Sequence, residues 1–126
     1  MNITICGSIA FYDQMFDIKN KLERLDHQVK LPPSEIEDKD GNKISVQEYY
    51  SQRKTETDDQ SWVWDKKSKA MRMHFQKVQW SDAILVLNYD KNDIPNYIGA
   101  NTLLEMGLAF YLNKKIFRKL AIRKKF

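Results

Sequence analysis

The sequence predicts an α/β protein with an open parallel sheet in the flavodoxin-like order 2-1-3-4 and helices on both faces. Two strand patterns, NITIC at residues 2–6 and DAILVLN at residues 82–88, are each followed by residues with helical periodicity. The second run is continuously apolar, which is typical of a strand buried on both faces of a parallel sheet. A chain of 126 residues has the length of one ordinary domain, so we expect a single domain over residues 1–126.

The first strand ends at Gly7, and a helix follows it. Apolar residues recur at helical spacing in that helix: Phe11, Met15, Ile18, Leu22 and Leu25. QVKL at residues 28–31 predicts the second strand, which Pro32 and Pro33 stop.

A polar segment at about residues 33–61 interrupts this alternation. It consists mostly of Glu, Asp, Lys, Gln and Ser. Such a composition cannot bury enough apolar surface to offset ordering, which costs about 1–2 kcal/mol per residue for the backbone alone. A short helix around VQEYY is compatible with the sequence, but we expect mainly a mobile lid or subunit contact.

The second half of the chain returns to the α/β pattern. Residues 65–79 predict a helix, DAILVLN the third strand, and residues 102–112 a mostly apolar helix. KKIF at residues 114–117 starts the fourth strand, and we expect residues 118–126 to form a basic, solvated tail.

Charge and composition exclude several classes of protein. The net charge is +4, but five positive charges lie in residues 118–126 and leave −1 for the rest, which argues against a nucleic-acid partner. No apolar run approaches the roughly 18 residues needed to span a bilayer. A single cysteine, Cys6, excludes an internal disulfide and favours the cytoplasm. With two histidines and no cysteine cluster, no metal site is expected.

Ligands of open α/β sheets bind beyond the carboxyl ends of the strands, where the strand order reverses. Gly7 and Ser8 follow the first strand, and Asn88 and Tyr89 follow the third. Gly7 would let a ligand approach the backbone, and Ser8 could cap the helix or donate to a phosphate or a ribose hydroxyl. Cys6 is expected to be buried as a small hydrophobic residue.

Glu105 stands in the apolar helix with no cation three or four positions away. One interpretation is a capping box, Thr102-Leu-Leu-Glu105, in the first turn. The other is a carboxylate nucleophile that attacks the anomeric carbon of a sugar and is kept ionised by the helix dipole. For His74, on the apolar face of its helix, a core histidine is the simpler interpretation.

Three stretches together carry a resemblance to a known family: ICGSIAF, SDAILVLN and GANTLLEMGLAFYLNKKIF. They resemble the nucleoside 2-deoxyribosyltransferase superfamily, which includes the deoxynucleoside 5′-monophosphate N-glycosidases. The resemblance covers about the first 31 residues and residues 64–117. It implies a flavodoxin-like fold, a nucleophile at Glu105 that forms a glycosyl-enzyme intermediate, no cofactor, and oligomers in which the neighbouring subunit completes each pocket.

The chain departs from the family pattern at two polar positions. Gly99 stands where family members carry Asp or Ser six residues before the nucleophile, and His74 stands where they carry an Asp. Residues 10–12 also lack the Arg and glycines of the hydrolases' phosphate-binding turn. Either His74 replaces the missing acid/base group, which its ordinary pKa near 6.5 permits, or transferase activity is lost.

We therefore expect a nucleoside- or nucleotide-binding enzyme that cleaves or transfers at the N-glycosidic bond, with Glu105 and His74 as catalytic residues. The alternative is a non-catalytic sensor of a nucleotide derivative. Expected substrate-binding residues are Gly7, Ser8, Asn88, Tyr97, Gly99, Asn101 and Thr102. Because the chain has more large aromatic residues than a small core can house, we expect a homodimer or a dimer of dimers.

Overall fold

The structure is a computed structural model that describes residues 1–119; residues 120–126 lie outside it. Its elements in chain order are β1 (Asn2–Gly7), a 3₁₀ turn (Ile9–Phe11), α1 (Tyr12–Arg24), β2 (Gln28–Lys30), β3 (Glu35–Glu37), β4 (Lys43–Ser45), α2 (Val46–Thr55), α3 (Trp62–Trp80), β5 (Ala83–Leu87), α4 (Ala100–Tyr111) and β6 (Lys115–Lys119). The chain divides into two compact units. Unit 1 comprises Met1–Leu31 and the chain from Lys77 onward, and unit 2 comprises Pro32–Gln76.

Unit 1 holds a sheet of strands in the order β2-β1-β5-β6. All three neighbouring pairs are parallel; Ile3, for example, lies opposite Val29 on one side and Ala83 on the other. Because β5 and β6 are the third and fourth strands of this sheet along the chain, the predicted order 2-1-3-4 is confirmed.

Apolar side chains cover both faces of the sheet. The face packed on α1 contains the buried residues Ile3, Ile5, Phe11, Met15, Val29 and Leu87. The opposite face contains Cys6, Val78, Ile84, Val86 and Ala109, which come from β1, β5, α4 and the last turns of α3. Helices therefore lie on both faces, as the sequence predicted.

Unit 2 contains regular structure within the polar segment. β3 and β4 form an antiparallel hairpin, and α2 begins where the hydroxyl of Ser45 accepts a hydrogen bond from the amide of Glu48 at 3.1 Å. The buried Tyr49 donates from its hydroxyl to the carbonyl oxygen of Val63 at 2.6 Å. Local caps and a few apolar anchors therefore order this segment more than its composition indicates, and its mobility stays a prediction.

The end of the chain differs from the expected tail. Arg118 and Lys119 belong to β6, where they pair with Val86 and Leu87, so the prediction of a solvated tail was wrong for these two residues. Backbone pairing at the edge of a sheet requires no apolar side chain, and both side chains are exposed. The rest of the predicted tail lies outside the described residues. Within residues 1–119, no helix combines the length and apolar character that crossing a bilayer requires.

Candidate active site

The carboxyl ends of the two central strands, β1 and β5, lie side by side. Gly7 pairs with Leu87 and has a φ of 156°, and a Cβ at this position would lie 2.9 Å from the carbonyl oxygen of Leu87 and 3.1 Å from the terminal methyl of Met15. Packing within the protein therefore leaves no room for a side chain at residue 7. Its predicted contact with a ligand stays a prediction.

Ser8 connects this turn to the loop after β5. Its hydroxyl caps the 3₁₀ turn by accepting from the amide of Ala10 at 3.3 Å, and it also accepts from Nζ of Lys91 at 2.8 Å. The same ammonium group lies 4.8 Å from the ring centroid of Tyr97. Lys91 was not predicted from the sequence, because one lysine in a polar loop has no spacing that distinguishes it. The arrangement offers a cation, a hydroxyl and an aromatic ring at one place.

The loop after β5 is held by its own hydrogen bonds. The amide of Tyr97 donates to the carbonyl oxygen of Tyr89 at 3.0 Å, and the amide of Asn96 donates to the carboxylate of Asp90 at 2.9 Å. The ring of Tyr89 packs edge-on against Phe11, with centroids 5.2 Å apart. These contacts fix the approach to α4 from the end of β5.

The start of α4 corrects the interpretation of Glu105 as a capping residue. The N-cap is Gly99, with no side-chain cap, so Thr102 is the third helical residue and Glu105 the sixth. Both the capping box and the first-turn position were therefore wrong: the helix begins three residues earlier than the box requires. Thr102, Glu105 and Ala109 instead form the buried stripe of the helix.

Glu105 is buried in the fold, with only 9% of the residue exposed. Burial raises its pKa to about 7, and a hydrogen bond from the Cys6 thiol partly offsets this rise. The pKa of Cys6 is raised well above its ordinary value by burial and then by the charge of Glu105. The helix dipole acts mainly within the first turn, whereas desolvation acts on the whole buried group, so the pKa of Glu105 lies above its ordinary value and not below it.

Asn88 lies at the end of β5 and is 1% exposed. Its backbone amide donates to the carbonyl oxygen of Lys119 at 3.3 Å, and this bond extends the ladder with β6 by one residue. Among the residues that the structure describes, the buried side-chain oxygen Oδ1 of Asn88 has no hydrogen-bond partner.

The predicted site residues belong to both units of the chain. Unit 1 contains the end of β1 with the turn that follows it, the end of β5, the loop from β5 to α4, and the first turns of α4. These segments carry Gly7, Ser8, Asn88, Tyr97, Gly99, Asn101, Thr102 and Glu105. His74 lies on α3 in unit 2, where it is buried at 5% exposure. Its catalytic role stays a prediction.

Comparison with known proteins identifies the fold. No protein-family model and no curated protein matches the chain. Among solved structures, the chain is similar to a 2-deoxyribosyltransferase from the psychrotolerant bacterium Bacillus psychrosaccharolyticus, with a TM-score of 0.60 and 14% identity over 100% of this chain and 77% of the other. It is also similar to a 2-deoxyribosyltransferase from Leishmania mexicana, with a TM-score of 0.55 and 15% identity over 98% of this chain and 66% of the other. The chain therefore has the nucleoside 2-deoxyribosyltransferase-like fold that its sequence predicted.

Proposed function

We propose that this protein binds a nucleoside or nucleotide and cleaves or transfers its sugar at the N-glycosidic bond, with Glu105 as nucleophile. The observation that carries this proposal is the buried carboxyl group of Glu105, with a pKa of about 7, beside the Cys6 end of β1. Open α/β sheets bind ligands at that edge. The similar solved structures are 2-deoxyribosyltransferases, which supports the same class of chemistry.

The proposed reaction has two steps. The ionised Glu105 attacks the anomeric carbon, a carbon–oxygen bond forms, and the carbon–nitrogen bond breaks with its electron pair leaving on the base. Water or a second base then attacks the same carbon and releases the carboxylate. The departing base needs a proton, and we propose His74 as its source, since an imidazole side chain can carry and release a proton near neutral pH.

Binding of the substrate is assigned to the groups at the same edge of the sheet. The ammonium of Lys91 and the hydroxyl of Ser8, 2.8 Å apart, can hold a phosphate or a sugar hydroxyl. Tyr97 presents an aromatic ring beside them. The remaining members of the proposed pocket are Gly7, Asn88, Gly99, Asn101 and Thr102.

A second candidate function is a non-catalytic sensor of a nucleotide derivative. The observation that favours it is Gly99, which supplies no side chain at the N-cap of α4, where the resembling enzymes carry Asp or Ser. Binding would then require the same pocket, but Glu105 would have no reaction to perform.

Glu105→Gln separates these two functions, because it keeps the shape of the side chain and removes the nucleophile. Wild type and variant should be incubated with deoxynucleosides, ribonucleosides and their 5′-monophosphates, and released base measured by chromatography. We expect the variant to lose roughly a thousandfold or more in rate. Glu23→Gln, an exposed position in α1, is the matched control and should keep the wild-type rate. Equal rates in wild type and Glu105→Gln would refute the catalytic role, and ligand binding without turnover by either protein would favour the sensor.

We further propose that the protein is a homo-oligomer that associates through α4. The face of α4 opposite its buried stripe exposes four large apolar side chains, Leu103, Leu104, Phe110 and Tyr111, with the last two 77% and 78% exposed. Exposed apolar faces of this kind mark association sites more often than bare surface. A second copy of the chain is the proposed partner, since closed two-fold pairing is the commonest arrangement.

A further inference from the structure

The side-chain oxygen of Asn88 is the starting point. Nearly all buried polar atoms in native proteins have a hydrogen-bond partner, and an atom without one needs an explanation. Oδ1 of Asn88 is buried and lacks a partner among residues 1–119. In the free protein the burial of this atom is a net cost, which a ligand with an N–H or O–H group would remove.

The alternation of side chains along β5 gives the direction of Asn88. Leu85 and Leu87 belong to the face packed on α1, whereas Ile84 and Val86 belong to the face packed on α4. Asn88 is the next residue in the second series, and its backbone amide continues the ladder with β6. Since successive side chains of a strand alternate between faces, Asn88 points to the α4 side of the sheet.

The register of the sheet places this side chain near Glu105. Val86 lies opposite Cys6, and Cys6 is hydrogen-bonded to Glu105. Asn88 is two residues further along the same strand, roughly 7 Å at the usual rise of a strand. The carboxyl group of Glu105 and the side-chain amide of Asn88 are therefore neighbouring polar groups on one face of the sheet.

We propose that Oδ1 of Asn88 accepts a hydrogen bond from a hydroxyl group of the sugar that Glu105 attacks, and that Asn88 thereby sets the specificity for the sugar. This inference rests on the proposed function. A phosphate monoester, with a second pKa of about 6, is mostly a dianion at neutral pH and therefore a poor donor to Oδ1. A nucleophile displaces the base from the opposite side of the anomeric carbon, so the base points away from Glu105 while the ring hydroxyls stay beside it.

The test compares sugars that differ by one hydroxyl group. The ligands are adenosine, its 2′-deoxy, 3′-deoxy and 2′,3′-dideoxy forms, the same four uracil nucleosides, and the 5′-monophosphates of all eight. Each is titrated calorimetrically into wild type, Asn88→Leu and Asn88→Asp. A site built around a hydroxyl rejects an analogue that lacks it, so wild type should bind at least one hydroxylated sugar about tenfold or more tighter than the dideoxy form. Asn88→Leu should abolish this difference, and Asn88→Asp, which keeps an acceptor, should preserve it.

Thermal unfolding separates a binding role from a structural one. Asn88→Leu removes an acceptor that has no internal partner, so its melting temperature should be no lower than that of wild type. Asn20→Leu, at an exposed position in α1, is the control and should keep the wild-type preference among sugars. If Asn88→Leu does not fold, Asn88→Ala takes its place in the titration.

The outcomes distinguish this inference from the function on which it rests. Base release without any dependence on sugar hydroxyls, or with a dependence that survives Asn88→Leu, overturns the inference and keeps the glycosidic chemistry. Hydroxyl-dependent binding that Asn88→Leu abolishes, in a protein that releases no base, supports the role of Asn88 and overturns the chemistry. Failure of wild type to bind any of the eight nucleosides or their 5′-monophosphates overturns both.

Discussion

The thiol of Cys6 donates a hydrogen bond to the carboxyl group of Glu105, which joins the end of β1 to the second turn of α4. Both groups are buried. The bond favours the ionised form of Glu105, whereas burial disfavours it, and burial is the larger effect. The protonation state of the proposed nucleophile is therefore a balance between these two causes.

Removing the thiol should shift this balance. In Cys6→Ala the ionised form of Glu105 loses a donor, so we expect its pKa to rise above the wild-type value of about 7. Carbon-detected NMR titration of the side-chain carboxyl group measures the change directly. Cys6→Ser keeps a donor and should leave the pKa near the wild-type value. An unchanged pKa in Cys6→Ala would show that the thiol does not act on Glu105.

The raised pKa of Glu105 also predicts how stability depends on pH. The ordinary value is 4.5 and the folded value about 7, so between these pH values the unfolded chain releases a proton that the folded protein keeps. The contribution of this group to stability is therefore full below pH 4.5 and is lost as pH rises through 7, by about 3 kcal/mol in all. Glu105→Gln has no titrating group at this position, so its stability should not show this loss as pH rises. Urea unfolding of both proteins at pH 5 and pH 8 tests the difference.

Gly7 and Gly107 should respond oppositely to alanine. At Gly7 a Cβ meets the carbonyl oxygen of Leu87 at 2.9 Å with φ at 156°, so Gly7→Ala should cost about 1–3 kcal/mol of stability. At Gly107, inside α4, nothing lies within 4 Å of an added Cβ, so Gly107→Ala should stabilise the protein by up to about 1 kcal/mol. Denaturant unfolding at a concentration that keeps the chain monomeric measures both. Equal effects would contradict the packing at the β1 turn.

The exposed face of α4 predicts the mass of the protein in solution. Light scattering at micromolar concentration should give a multiple of the 15.0 kDa chain mass. Phe110→Ser combined with Tyr111→Ser should lower that mass, because these two side chains are the most exposed large apolar groups of α4. Leu25→Ser, at an exposed apolar residue outside α4, should not. A wild-type mass near 15 kDa would refute association.

The polar segment of unit 2 should exchange its amide hydrogens early. Residues 34–60 contain two buried residues, Val46 and Tyr49, and short elements with few buried contacts open at low free energy. Mass-spectrometric hydrogen exchange should show faster labelling there than in β1 and β5, with slowing on addition of ligand. Protection equal to that of the central strands would contradict this prediction.

The sequence was sufficient where one periodicity extended over a whole element. The apolar run of β5 and the helical spacing after β1 predicted the order of the main sheet, and with it the edge at which we propose the site. It failed at the start of α4, because the Thr102 to Glu105 spacing matches a capping box while the chain enters the helix at Gly99. The β3–β4 hairpin was missed because three-residue strands are too short to show alternation.

The pairings that were missed join residues that are far apart in the sequence. Lys91 and Ser8 are 83 positions apart, and no local pattern relates them. Cys6 and Glu105 meet only because β1 and α4 pack on one face of the sheet. Such pairs follow from the register of β1 with β5, which periodicity alone does not provide.

That register also has a consequence for how the chain folds. The amide of Asn2 bonds to the carboxylate of Asp82, 80 positions later, and β1 pairs with β5 along its length. The central strand pair therefore cannot form during synthesis until β5 has left the ribosome, by which time all of unit 2 has been made. Closing so long a loop costs entropy before any contact is gained, so we expect formation of the parallel sheet to limit the rate of folding.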